Sequence, residues 1–138
     1  MKNANFTLFV GFLGASSLFW SIYLVFGYAA VEETMLETQK IFYFHVSSAF
    51  VAFTAYAFTC VCSIIYLIRR DDKFDALGSS SAELGLVFCT VVLITGPIWA
   101  RSAWGTWWNW ESRLTSTLIL WLMYIGYFIL RAMLDIDL

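Results

Sequence analysis

Apolar and polar positions alternate along this chain in long blocks. Phe6 to Ala30 carries no charge, and Ile41 to Ile68 carries only His45 as a titratable group besides its cysteines and tyrosines. Leu84 to Ala100 forms a third apolar run, and Leu114 to Leu130 forms the fourth. Each is as long as, or longer than, the ~17 residues that cross a hydrocarbon core, and the first two leave room for tilt. In lipid the backbone must satisfy its own hydrogen bonds, so these blocks are helices. The pattern predicts an all-α, polytopic membrane bundle with spans near 6–30, 41–68, 84–100 and 114–134. The 138 residues then form one membrane domain.

Between the blocks the sequence predicts connectors. Gly78-Ser-Ser-Ser81 reads as a short flexible link before the third span. Pro97, after Gly96, is expected to weaken the end of that span and turn the chain outward. Lys2 ahead of an apolar stretch resembles a secretion signal. The stretch is too long for a signal core and ends in no convincing small-x-small site, so it reads as a retained anchor.

Composition agrees with a lipid solvent: 61% of residues are hydrophobic, well above the roughly half of soluble domains. Net charge is −2, and no Lys/Arg cluster offers a surface for nucleic acid. Lys2, Arg69, Arg70, Lys73 and Arg131 fall on one side of the predicted bundle; Lys40, Arg101 and Arg113 fall on the other. The positive-inside rule places both termini and the 69–81 loop in the cytoplasm, with the acidic 32–40 loop and the 101–113 loop outside. Cys60, Cys62 and Cys89 all lie within spans and lack redox or zinc spacing, so they read as small packing residues. No nucleotide loop, hydrolase elbow or other catalytic constellation is present, so nothing marks the chain as an enzyme. Glu83, near the cytoplasmic start of the third span, is either a packing anchor or part of a mechanism.

Two features carry chemistry. Five of the seven tryptophans fall in the twelve residues from Trp99 to Trp110. Trp104, Trp107, Trp108 and Glu111 follow i, i+3, i+4, i+7 spacing, which predicts an amphipathic turn along the outer surface. The second feature is His45, the only histidine, about one turn inside the second span. At 100° per residue, Ser48, Ala52, Ala55 and Thr59 share a flank near it, while Phe50 and Phe53 lie on another. Small and hydroxyl residues suit helix contacts and phenylalanines suit lipid, so His45 is expected to point inward. Position alone leaves two readings of His45, a functional imidazole or a structural hydrogen bond. Headgroup contact by the arginines and an aromatic belt stay open likewise.

An aromatic shelf, flanking Arg101 and Arg113, and a nearby imidazole together suit haem. Indoles would contact the flat macrocycle, arginines would pair with its propionates, and His45 would take the iron. The stretch Trp104-Gly-Thr-Trp107-Trp108-Asn-Trp110-Glu111-Ser-Arg113-Leu-Thr115 resembles the tryptophan-rich signature of the cytochrome c assembly family of haem-handling membrane proteins. Within it, Gln39-Lys-Ile-Phe-Tyr-Phe-His45-Val-Ser-Ser-Ala-Phe50, Ala82-Glu-Leu-Gly-Leu and Thr95-Gly-Pro-Ile-Trp-Ala-Arg101 are similar to the haem exporter protein C (CcmC) branch.

The resemblance implies transient binding of haem b at the periplasmic face of a bacterial inner membrane, and its presentation to a periplasmic haem chaperone during cytochrome c maturation. It implies His45 as an axial iron ligand and Trp104, Trp107, Trp108 and Trp110 as a platform for the macrocycle. As partners it implies that chaperone, a small single-span subunit and the subunits of an ABC transporter. Three departures stand out: Glu111 in place of the usual aspartate, Ser47 in place of a common proline, and length. Branch members have six spans, with a second axial histidine beyond the fourth. The chain ends at Leu138 without a second histidine, which reads as a truncated member or one whose site another polypeptide completes. The rival reading is an assembly subunit whose tryptophans only anchor interfaces; a small proton-relaying transporter half built on His45 is a third.

Overall fold

The computed structural model describes residues 2–31 and 33–134, and side chains from residue 4 onward. The Lys2 side chain used for orientation, Glu32 of the acidic loop and the terminus at 135–138 lie outside the described residues. Four helices carry the described chain: α1 (Lys2–Tyr23), α2 (Gln39–Arg69), α3 (Asp72–Trp104) and α4 (Ser112–Met133). All four are long and apolar enough to cross a membrane, α1 together with the π-helical turn that follows it. The all-α architecture expected from the apolar blocks is the one observed. Its contacts divide it into two compact units, residues 1–43 and 44–138.

In the first unit α1 runs into a π-helical turn, Leu24–Tyr28, closed by Ala29 N–H donating to the Leu24 carbonyl at 2.8 Å. Ser21 returns its hydroxyl proton to the Ser17 carbonyl at 2.8 Å, which satisfies that hydroxyl within the helix. At the start of α2, Lys40 pairs with Glu37 at 2.6 Å and lies 5.7 Å from the Phe26 ring.

The second unit is a hairpin of α2 and α3 joined to α4. Its turn is short. Arg70 takes a left-handed φ of 54° and closes the end of α2 by donating to the Tyr66 carbonyl. Asp71 then accepts from the Lys73 N–H at 3.0 Å, capping α3, while Asp72 and Asp75 favour its positive end.

Because of this cap α3 begins at Asp72, twelve residues before the third apolar run. Gly78-Ser-Ser-Ser81 is therefore helical, not a flexible connector. Its small residues are what let two backbones approach. The Thr59 hydroxyl lies 3.2 Å from the Gly78 carbonyl, and Ser81 donates to the Ala55 carbonyl at 2.9 Å. Further along, a methyl group on Gly85 would sit 2.6 Å from the Tyr56 ring.

Pro97 does not end α3 either. The helix continues seven residues past it to Trp104. A spanning helix tolerates the lost N–H because neighbouring groups re-satisfy the backbone. What stops α3 is Gly105, whose left-handed φ of 77° closes the helix end on the Arg101 carbonyl.

The core of this unit is aromatic. Tyr56 of α2 stacks on Tyr124 of α4 with centroids 4.1 Å apart, worth about 0.5–1.5 kcal/mol beyond burial. Ala52 and Cys89 complete it, with Phe88, Leu93, Leu120 and Trp121 packed around. Cys62 and Cys89 are buried packing residues, as expected, while Cys60 is exposed. Two polar links join α4 to α3. Trp121 donates to the Thr90 hydroxyl at 2.8 Å, and Arg131 pairs with Asp75 through both guanidinium nitrogens, one at 2.8 Å. Arg131 is only 7% exposed, and Tyr127 accepts a further bond from it.

Candidate functional site

The face of α2 that carries His45 folds as its periodicity requires. Ser48, Ala52, Ala55 and Thr59 are buried, while Phe50 and Phe53 are exposed. His45 is half-buried and turned toward α3, where its Nδ1 lies 3.0 Å from the Thr95 hydroxyl. Thr95 gives its single hydroxyl proton to the Val91 carbonyl at 2.7 Å. Only lone pairs remain on that oxygen to meet the ring, so Nδ1 carries the proton and donates. In the neutral ring Nε2 is then the unprotonated nitrogen, the form in which imidazole binds a metal. Close approach is permitted by Gly96, where an added methyl would stand 3.2 Å from the His45 Cε1.

The tryptophan segment begins on α3 and then leaves helical geometry. Trp99 and Trp104 meet edge to face at 5.2 Å. The Arg113 guanidinium lies 5.8 Å from the Trp104 ring and 3.5 Å from the Glu111 carboxylate. The start of α2 and the last third of α3 thus bring His45 and Thr95 together, and at the start of α4 Arg113 lies beside Trp104, which meets Trp99.

The amphipathic helical turn expected from the spacing of Trp104, Trp107, Trp108 and Glu111 is not formed. Only Trp104 is helical, because Gly105 breaks the ladder and α4 starts at Ser112. Between them Thr106 bonds to the Asn109 side chain, holding an irregular loop. Trp108 and Trp110 meet edge to face at 5.8 Å, while Trp107 and Trp110 are 59% and 77% exposed. Arg101 is drawn into capping, donating to the Gly105 carbonyl. It is therefore not brought to the imidazole.

Three shielded polar atoms near this end have no hydrogen-bond partner among the described residues: Trp99 Nε1, Trp108 Nε1 and Thr115 Oγ1. Two indole donors and a hydroxyl suit a ligand that presents acceptors, such as carboxylates. Thr95, Gly96 and Trp99 are the contributors that residue-type reasoning passed over. Their signal is in the sequence, in the stretch Thr95-Gly-Pro-Ile-Trp99, but only the packing of α2 against α3 gives Thr95 and Gly96 their meaning. Among the described residues no three His, Cys, Asp or Glu side chains converge on one point, so a bare metal ion would find a single ligand at His45.

Comparison with known proteins gives a consistent answer. The chain is 42% identical over 105 residues to the Heme exporter protein C of Paracoccus denitrificans, a match covering 75% of this chain and 44% of that protein. Escherichia coli K12 Heme exporter protein C is 35% identical over 101 residues, covering 73% and 41% respectively. A ccmC-like mitochondrial protein of Marchantia polymorpha, whose name refers to cytochrome c biosynthesis, is 32% identical over 118 residues, covering 86% and 50%. The matched stretch thus spans about half the length of these relatives, or less. The family model described as Heme exporter protein C matches residues 3–137, and the chain belongs to that family.

Proposed function

We propose that the chain binds haem at the outer lipid–water boundary of a bacterial inner membrane and presents it to a periplasmic haem chaperone during cytochrome c maturation. The observation that carries this reading is the His45–Thr95 pair, which leaves one imidazole nitrogen unprotonated at the end of the bundle where the indoles gather. A lone nitrogen donor is a poor site for a free ion but suits an iron whose equatorial positions a macrocycle already fills. The names of the relatives, which refer to heme export and cytochrome c biosynthesis, support the same cargo.

In this reading each residue has a distinct task. His45 would hold the iron through Nε2, and Thr95 keeps the ring in the required tautomer. Arg113 would meet a propionate, with the unpartnered Trp99 and Trp108 indole N–H groups as further donors. The exposed faces of Trp107 and Trp110 would contact the macrocycle or the acceptor protein. Arg101 and Glu111 serve by holding the loop, through Gly105 and Arg113 respectively. The residues supply binding and orientation, and the haem b would leave with the acceptor. A small single-span subunit and an ABC transporter complete the proposed assembly.

Haem titration of the purified chain in nanodiscs tests this. A Soret band that saturates with the wild type and is strongly reduced in His45→Ala supports the ligand role. Equal haem uptake by both proteins would overturn it. If Trp107→Phe with Trp108→Phe leaves uptake and transfer to the acceptor unchanged, those tryptophans serve as anchors only.

A further inference from the structure

We propose that the groove around Glu83, between α3 and α4, is a docking surface for a transmembrane helix of another polypeptide that carries a lysine or arginine at the same depth. This inference stands apart from the haem reading, because it concerns the opposite half of α3. Glu83 lies eight residues beyond Asp75, which at 1.5 Å per residue is about 12 Å further along the helix. The other described acidic residues, Glu33, Glu37, Asp71, Asp72, Asp75 and Glu111, lie in loops or at helix starts. Glu83 alone lies about three turns inside a spanning helix.

Its side chain is exposed and takes part in none of the ion pairs or hydrogen bonds of the described residues. It lines a groove of about 450 Å³ with Ser79, Ser80, Leu86 and Phe128. Ser79 satisfies itself on the Ala76 carbonyl, whereas Ser80, three residues before Glu83 on the same side, presents its hydroxyl outward. Small hydroxyl residues let another helix come close, and a carboxylate at membrane depth is stable only when it meets a partner or water. The groove is therefore shaped for a helix and signed for a cation.

Among the described residues, a second copy of this chain offers no such cation. Arg69, Arg70 and Lys73 lie around the α2–α3 turn, and Lys40, Arg101 and Arg113 lie at the other end. Arg131 is buried against Asp75. No described basic residue stands free at the level of Glu83 in either orientation of a copy.

The test uses the full chain, donor-labelled and reconstituted in phosphatidylcholine vesicles. The probe is an acceptor-labelled leucine–alanine transmembrane peptide carrying one lysine level with Glu83. Energy transfer should report association on the order of tenfold tighter than for the same peptide with leucine there. E83Q and E83L should abolish the difference, while L84Q, an exposed neighbour, should keep it. Should either Glu83 variant fold poorly by circular dichroism, the lysine-to-leucine comparison on the wild type still decides. Equal binding of the two peptides would overturn the proposal, as would a lysine preference that survives in E83Q. Transfer between copies of the chain that E83Q removes and the lysine peptide cannot compete would assign the groove to self-association instead.

Discussion

At the scale of single residues, the informative contact is between a ring and a hydroxyl. Thr95 does two things with one atom: it returns a proton to its own helix and accepts one from His45. Thr95→Val keeps the shape and removes the acceptor. On the proposed function it should weaken haem binding roughly tenfold, the usual cost of losing an outer partner of a metal-binding histidine. Thr95→Ser should restore most of the loss. Helicity should be unchanged in both, and a Soret titration beside circular dichroism separates the two effects. His45 itself was legible from sequence, because the 100° periodicity that buries Ser48 and Ala52 and exposes Phe50 also turns residue 45 inward. Thr95 was not. Its role exists only because α2 packs on α3, which joins residues fifty positions apart in sequence.

Among the elements, α3 departs furthest from expectation, and for a physical reason. Glycine and serine clusters mark linkers in water, yet in lipid they mark the faces where helices touch. The run from Gly78 to Ser81 is such a face, and Gly85 continues it against the Tyr56 ring. Gly85→Ala should therefore cost about 1–3 kcal/mol, since the ring must yield its stack on Tyr124. Gly126, on α4, has nothing within 4 Å of an added methyl. Gly126→Ala should be neutral, or stabilising by up to about 1 kcal/mol through helix propensity. Unfolding of the two variants by denaturing detergent, read by circular dichroism, checks the contrast. The tryptophan loop erred in the other direction. Its spacing matched a helix, but a single left-handed glycine at 105 outweighed the pattern.

Across the whole second unit, polar links sit at both ends of α3. Asp75 holds Arg131 at one end and Thr95 holds His45 at the other, twenty residues apart. At 1.5 Å per residue that is about 30 Å, the thickness of a hydrocarbon core. The four-span architecture was readable from the apolar blocks alone, whereas these two links were not, because each joins residues about fifty positions apart in sequence. Arg131→Met leaves Asp75 without its cation and should destabilise the bundle by about 3 kcal/mol. Since the links share no residue, Arg131→Met combined with Thr95→Val should give the sum of the single effects on stability within about 0.5 kcal/mol. A larger deviation in detergent unfolding would mean that α3 transmits strain along its length.

The coil from Gly105 to Glu111 has a consequence for where any guest must sit. Peptide groups that lack helical partners cannot be drowned in acyl chains, so this coil has to float among headgroups and water. Its indoles float with it. A flat, greasy guest gripped there stays half in fat and half in brine. It can be reached from the leaflet on one flank and by a water-borne carrier on the other, with no need for a tunnel through the bundle.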